Sequence, residues 1–405
     1  MEKKPQIRFK GYQDEWEESQ LKKQVNYSTT GVRSCDISEE GKYDLYDANE
    51  VIGKVNAYAS DKPYISIIKD GSGVGRVRLL PERTNVLGTM GVISPKDIND
   101  VNFIFSHIQT KDFKQYIISG AIPHVYFKNY GEGEIIIPSS QEQNKIGTFF
   151  ATLDDLITAK EQELEKLRQL KAALLQHMFP SEDDGNTDRG YSDLIINQLD
   201  RCGMTISTLP NTPRIRFKGF IGPWKKKKIG DYGYISMCKR VMKYQTTSKG
   251  EIPFFKIGTF GGDADAYISR GLFEYLRNNY QYPEEGDVLI SAAGTLGRVV
   301  VFDGKDQYFQ DSNIVWLNHK GKLYNPFLKL VYGVVKWNSV EGSTLKRLYN
   351  NNILNTEFYI PASNEEQELI GDFFRSQDEQ INAASEQINK LKTIKQALLQ
   401  KMFTA

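Results

Sequence analysis

At 405 residues the chain is long enough for two or three domains, each with its own core, and its 40% hydrophobic and 25% charged content is that of an ordinary globular protein. A net charge of +1 marks neither a uniformly basic nucleic-acid binder nor an acidic solvating chain. Three scattered cysteines (Cys35, Cys202, Cys238) exclude a disulfide framework or a cysteine zinc site, and no apolar run reaches the roughly 20 residues of a membrane span. Met1-Glu-Lys-Lys-Pro5 has no apolar stretch behind it, so no secretion signal is expected and a cytoplasmic protein is.

The chain opens on Pro5-Gln-Ile-Arg-Phe-Lys-Gly-Tyr12, followed by Trp16. The same string returns 208 positions later as Pro213-Arg-Ile-Arg-Phe-Lys-Gly-Phe220, followed by Trp224. A second pair of strings, Lys166-Leu-Arg-Gln-Leu-Lys-Ala-Ala-Leu-Leu-Gln-His-Met-Phe179 and Lys390-Leu-Lys-Thr-Ile-Lys-Gln-Ala-Leu-Leu-Gln-Lys-Met-Phe403, stands 224 apart. A unit this long is a duplicated domain and not a solenoid repeat, and it predicts two similar halves about an approximate two-fold axis. The repeats divide the chain into 1–137, a first domain; 138–180, a helical segment; 181–212, an acidic linker; 213–357, a second domain; and 358–405, a second helical segment.

In the first domain, residues 17–137 carry 14 Lys/Arg against 16 Asp/Glu, so any nucleic-acid face there must be a local patch. The turn Asp70-Gly-Ser-Gly-Val-Gly-Arg76 leads into a predicted strand near Leu80. Then comes the first helix, opened by the cap chemistry of Pro138-Ser-Ser-Gln-Glu-Gln143. Ile157, Lys160, Leu164, Leu167, Lys171, Leu174 and Met178 recur at alternating steps of four and three, a heptad seam. The linker 181–212 carries 2 basic against 6 acidic residues and includes Leu194-Ile-Ile-Asn-Gln-Leu199, a short predicted helix.

The second domain is basic: residues 225–357 carry 19 Lys/Arg against 13 Asp/Glu. Val299-Val-Val-Phe302 and Ile314-Val-Trp-Leu317 are predicted strands. Ala293-Gly-Thr-Leu-Gly-Arg298 matches the first Gly-rich turn at offset 222, as Gly342-Ser343 matches Gly120-Ala121. Each turn has two readings: a tight turn whose glycines supply positive φ, or such a turn that also holds a phosphate or a base edge. Lys225-Lys-Lys-Lys228 reads as a solvated run. Lys239-Arg240 and Lys243-Tyr244 mix cations with an aromatic ring, and Gly342-Ser-Thr-Leu-Lys-Arg347 combines hydroxyls with cations, all compatible with phosphate contact. The second helix, after Pro361-Ala-Ser-Asn-Glu-Glu-Gln367, repeats the seam at Ile381, Ala384, Ile388, Leu391, Lys395, Leu398 and Met402. Two equal seams under a two-fold axis are expected to pair antiparallel.

Catalytic and metal signals are weak. Asn325-Pro-Phe327 lacks the second proline of an adenine-methylating loop, Gly261-Gly262 lacks the surroundings of a methyl-donor site, and Asp97 with Asp112-Phe-Lys114 is too loose a nuclease pattern. The four histidines stand apart. No catalytic residue and no metal ligand is assigned.

The paired Pro-x-Ile-Arg-Phe-Lys-Gly…Trp starts, Gly286-Asp-Val-Leu-Ile-Ser291 with Gly294-Thr-Leu-Gly-Arg298, Gly342-Ser-Thr344 and the paired Leu-Leu-Gln-x-Met-Phe ends resemble the specificity subunit of a Type I restriction–modification enzyme, over the whole chain. The first domain departs most, showing only Tyr64-Ile-Ser-Ile-Ile68 where the second has its Gly-Asp-Val-Leu-Ile run. The resemblance implies an α+β molecule: two similar β-rich target-recognition domains separated by two long helices paired as an antiparallel coiled coil, with pseudo-two-fold symmetry. It implies a non-catalytic reader of bipartite double-stranded DNA, one half per domain, with the helices as a ruler. Expected partners are two modification subunits, which methylate adenine with S-adenosylmethionine, and restriction subunits that use ATP and Mg²⁺; no cofactor is expected on this chain. The DNA-binding candidates are Arg76, Lys239, Arg240, Thr295, Arg298, Ser343, Thr344 and Lys346. Two other classes stay open: a duplicated protein-binding adaptor without DNA contact, and a stand-alone DNA enzyme.

Overall fold

The computed structural model describes residues 5–120, 122–180, 199, 201–207, 211–337 and 347–403. Ser343, Thr344 and Lys346, Ala121, and all of the predicted linker helix except Leu199 lie outside the described residues. The chain forms two compact units. One holds the chain up to Glu163 and from Ala384 onward; the other runs from Leu164 to Ala383.

In the first unit a four-stranded antiparallel sheet places Val25–Thr29, Met90–Pro95, Tyr64–Ile68 and Val77–Leu80 side by side in that order. Tyr64-Ile-Ser-Ile-Ile68 is buried on both faces, which explains its unbroken apolar run. Ile65, Ile67 and Ile93 pack toward Phe103, Ile104 and Ile108 of the helix Val101–Gln109. Tyr64, Ile68 and Val92 face the other way, onto Leu80, Val86 and Met90. A smaller sheet orders Val51–Val55, Tyr43–Tyr46 and Asn85–Val86, the last pair parallel. Glu17–Gln20 pairs with Glu134–Ile137.

The second unit repeats this plan. Its four-stranded sheet orders Tyr234–Met237, Ile314–Asn318, Val288–Ser291 and Val299–Val301, and its three-stranded sheet orders Tyr267–Ile268, Ile252–Phe255 and Tyr308–Phe309, again with the last pair parallel. Asn325–Val334 stands where Val101–Gln109 stands in the first unit, with Phe327 fully buried at its start. Asn325-Pro-Phe327 is therefore a helix opening and not an open loop. The lysine run Lys225–Lys228 is a strand, paired with Glu357–Ile360 and exposed at every residue. Its low strand propensity hid it from the sequence reading. The helix Arg270–Asn279 is an addition of the second unit.

The long helices run Ser140–His177 and Asn364–Phe403. Ser139 Oγ accepts from the Glu142 amide at 3.4 Å and Ser363 Oγ from the Glu366 amide at 3.2 Å, the N-caps expected from the sequence. The repeated Arg-Phe-Lys-Gly…Trp motif closes on these same glutamates. Arg8 donates through two nitrogens to Glu142, both at 2.7 Å, and Trp16 Nε1 donates at 3.2 Å. Arg216 donates to Glu366 at 2.6 and 2.8 Å, and Trp224 Nε1 at 3.3 Å. The adjacent rings pack likewise, Phe9 on Phe149 and Phe217 on Phe373, each pair 5.7 Å apart. A motif conspicuous only as a repeat is thus a clasp that fixes the start of each domain to the first turn of a long helix.

Segments of the two helices pair antiparallel inside each unit. In the first, Lys395 meets Asp154 at 2.6 Å and Lys392 meets Glu161 at 2.6 Å, so one number falls as the other rises. In the second, Lys171 bonds Asp378, which also takes Lys329 at 2.7 Å. Burial alone would push Asp378 up, but the hydrogen bonds and charges of Lys171 and Lys329 outweigh it and hold the carboxyl below its ordinary range. The seam lysines are therefore ion-pair partners at reciprocal positions, each 224 residues from its counterpart. Ile157, Leu164 and Ile388 are buried, and Leu167, Ile381 and Leu391 are half-buried. The ends of the seam also enter the domain cores. Leu174 and Met178 sit with Phe179 in the core formed by Trp224 and Phe327, while Met402, with half-buried Leu398 and the ring of Phe403, packs around Trp16 and Phe103. The facing helix shares these cores, Ile370 and Phe374 with Leu174 and Met178, and Ile146 and Phe150 with Met402, with the Phe150 and Phe403 rings 6.0 Å apart, so these positions anchor helix to domain as well as helix to helix.

Candidate nucleic-acid interface

Loops gather at one end of the four-stranded sheet in each unit, and two of the backbone bonds that gather them are shared. In the first unit the Lys69 amide donates to Thr89 O at 3.1 Å, Val125 N to Lys69 O at 2.9 Å, and Gly88 N to Val32 O at 2.8 Å. In the second, Ala292 N donates to Asn313 O at 2.7 Å and Leu348 N to Ala292 O at 2.8 Å, and the Arg240–Asp311 ion pair brings in the loop 238–251. The first rim thus joins the Gly-rich turn 69–76, the turn 87–89, the loop 30–42 and the segment about His124. The second joins the turn 292–298, the turn 310–313, the loop 238–251 and the segment about Arg347.

The Gly-rich turns need glycine for two reasons. Gly75 and Gly297 have φ of +88° and +73°. A Cβ on Gly75 would come within 2.5 Å of Phe113 Cβ, and one on Gly297 would strike the Trp337 indole. The arginine after each turn bridges to the tip of the neighbouring hairpin. Arg76 Nη2 donates to the Ala48 carbonyl and to Asn49 Oδ1 at 2.8 Å; Arg298 Nη1 donates to the Phe260 carbonyl at 2.8 Å. Ser291 Oγ ties the second turn from within, donating to Thr295 O and accepting from Arg298 N at 2.8 Å. Both arginines thus brace one loop against another, which adds a fifth element, residues 47–50 or 256–266, to each rim. Chain position aligned Arg76 with Arg298; only side-chain direction reveals the brace.

On the first rim two arginines stand together. Arg78 donates to Asn49 O at 2.8 Å and lies over the Tyr46 ring at 4.9 Å, beside Arg76. The Glu50 and Asn49 amides, with Arg78 and Arg76 adding their charge, hold the Asp47 carboxyl below its ordinary range. A cavity of about 270 Å³ opens between Ala48, Ser66, Arg76 and Arg78. His124 pairs through Nδ1 with Asp70, which also meets Lys69 at 2.6 Å.

On the second rim Lys239 is exposed, its ammonium 5.0 Å from the centre of the Tyr280 ring. Arg240 meets Asp311 at 2.8 Å, and Thr295 is exposed at the turn. The structure therefore places Lys239, Arg240, Thr295 and Arg298 on one rim and Arg76 on the equivalent rim of the other unit. Sequence reading missed Arg78 and Asn49, whose signal is an arginine two residues on from Arg76, on the same strand face. Asp97 pairs with Lys62 at 2.9 Å and Asp112 caps a short turn by accepting from Lys114 N at 3.0 Å, so the loose nuclease pattern dissolves. Among the described residues no group of three or more His, Cys, Asp or Glu is placed to hold a metal ion, and no helix is long and apolar enough to cross a membrane.

The type I restriction modification DNA specificity domain matches the chain twice, at residues 13–169 and 221–393. A putative type I restriction enzyme specificity subunit of Haemophilus influenzae is 49% identical over 144 residues, which are 35% of this chain and 37% of that protein. The MjaIX type I restriction enzyme specificity subunit of Methanocaldococcus jannaschii is 25% identical over 327 residues, 76% of this chain and 70% of the relative. The match thus spans little more than a third of the first relative's length. The crystal structure of a type I restriction–modification S subunit from M. genitalium aligns with a TM-score of 0.66 at 15% identity over 99% of both chains. A chain from a structure on assembly and conformational transition of the type I restriction–modification system aligns at 0.50, with 13% identity over 96% of this chain and 97% of that one. At such identities the two structures speak for the fold, and the twice-matched domain speaks for the family: the chain belongs to the type I restriction–modification DNA specificity family.

Proposed function

We propose that this chain reads a bipartite site in double-stranded DNA, one half with each five-loop rim, for a type I restriction–modification complex. The observation that carries this is one scaffold built twice with different side chains: the same strand order, Gly-rich turn and arginine brace support Arg78 and Asn49 on one rim and Lys239 and Arg240 on the other. Cations on such loops position the phosphates, while base edges are read by side chains entering the groove. Different side chains on a common frame therefore give each half-site its own sequence. In this reading the paired helices set the spacing between half-sites and, with the domains, carry two modification subunits and the restriction subunits. Those partners supply the chemistry that uses S-adenosylmethionine, ATP and Mg²⁺, and this chain supplies the address.

The test is duplex binding by the assembled complex across a salt series. A DNA reader shows log K falling linearly with log salt, by about 0.9 per phosphate contact. It also prefers its cognate duplex by roughly 10³-fold or more over random sequence. An assembled complex with no duplex binding at low salt leaves the protein-binding adaptor as the better account.

A further inference from the structure

The loop after the first strand of the main sheet occupies the same place on both rims but carries opposite charge. In the second unit residues 238–251 hold Lys239, Arg240, Lys243 and Lys249 against Glu251. In the first, residues 30–42 hold Arg33 and Lys42 against Asp36, Glu39 and Glu40. Both loops contain a short 3-10 turn with one internal brace, Arg33 N to Asp36 Oδ2 at 2.8 Å and Met242 N to Gln245 Oε1 at 2.9 Å. The backbone device is shared, and the charge difference is a property of the side chains. In the second loop Lys239, Lys243 and Lys249 make no ion pair with any described residue. Arg240 is held through Nε by Asp311 yet remains 65% exposed, so its outer guanidinium edge faces solvent. Between the cations Tyr244 stands 85% exposed, an aromatic ring carried on a charged loop. In the first unit the rim arginines are engaged by the protein itself, Arg76 on Ala48 and Asn49, and Arg78 on the Asn49 carbonyl.

We infer that the two rims divide the work of binding duplex DNA: the loop 238–251 of the second unit supplies the electrostatic grip through Lys239, Lys243, Lys249 and Tyr244, and the first rim contributes discrimination with little net phosphate attraction. This rests on the DNA-reading role proposed above. Free lysines on an exposed loop release counterions on meeting phosphates, and an exposed tyrosine adds a contact that salt does not screen. An acidic loop at the equivalent place repels the backbone and leaves only closely fitted contacts favourable.

The experiment measures binding of a random-sequence duplex and of the cognate duplex to the assembled complex across a salt series. It uses three variants, each with its melting temperature checked. Lys239→Gln/Lys243→Gln/Lys249→Gln should lower the slope of log K against log salt by about 2–3 on both duplexes. Tyr244→Ala should weaken binding with the slope unchanged. Asp36→Asn/Glu39→Gln/Glu40→Gln should tighten binding to the random duplex and reduce the preference for the cognate one. A slope unmoved by the triple lysine variant, in a complex that binds with normal salt dependence, overturns the division of labour. Absence of any salt-dependent duplex binding by the unaltered complex overturns instead the DNA-reading role.

Discussion

Removing Glu366 tests the clasp at its most exposed weakness, the burial of a cation. Arg216 is 5% exposed and Glu366 1%, and the pair is bidentate at 2.6 and 2.8 Å. Glu366→Ala leaves the Arg216 guanidinium buried with only the Gly222 carbonyl, at 2.7 Å, and leaves Trp224 Nε1 without its acceptor. Breaking a buried pair by deleting one partner costs about 3–5 kcal/mol. For units of this size about 2–4 °C of melting temperature go with each kcal/mol, so the second unit should lose roughly 6–20 °C. The equivalent Glu142→Ala should cost less, because the Arg8 side chain is 15% exposed and can turn its charge to water. Arg216→Met/Glu366→Leu should recover part of the loss, since two apolar groups replace a buried pair at little cost while Trp224 Nε1 stays without its acceptor. Urea unfolding followed by tryptophan fluorescence measures all three. A loss below about 1 kcal/mol for Glu366→Ala, or no recovery in the double variant, would refute the clasp as a structural tie.

Lys171→Leu should lower stability by about 1 kcal/mol by leaving Asp378 to Lys329 alone, and Lys171→Leu/Asp378→Leu should restore it. Because the folded Asp378 carboxyl titrates below its ordinary value, its stabilisation is present above about pH 4 and lost as pH falls through the folded value; a pH series on both variants checks the sign. Gly297→Ala and Gly75→Ala should each destabilise by about 2 kcal/mol or more, combining positive φ with an aromatic clash, whereas Gly73→Ala, whose nearest new neighbour is Ile68 at 3.5 Å, should cost only about 1 kcal/mol; chemical denaturation ranks them. His107 is buried with Nδ1 unpartnered, and burial, then the charge of Lys111, pull it down to about 3. The neutral ring is the folded form, so its stability is full above about pH 6.5 and lost toward pH 3, at up to about 1.4 kcal/mol per pH unit; His107→Leu should flatten the profile across that window.

The duplication, the two long helices and the match of Arg76 with Arg298 were legible because each is a local string repeated at a constant offset. Partners distant in sequence were not. Ser139-x-x-Glu142 reads as a capping box, and only the fold brings Arg8 across 134 positions to take the carboxylate. The seam lysines stand out as charges in an otherwise apolar run, but Asp154 and Asp378 lie at ordinary helical positions that only the antiparallel register selects. Lys225–Lys228 defied recognition as a strand because its pairing depends on Glu357–Ile360, far along the chain. On the rims, sequence supplied the cations but not which of them are engaged by protein carbonyls, since that turns on side-chain direction.

The central claim is that each rim reads its own half-site. Its most direct measurement is genome-wide mapping of methylated adenines in cells carrying the complete system, before and after residues 225–357 are exchanged for the same region of a relative. The account predicts a methylated motif in which one half changes while the other half and the spacer stay the same. A motif altered in both halves, or in neither, would contradict it.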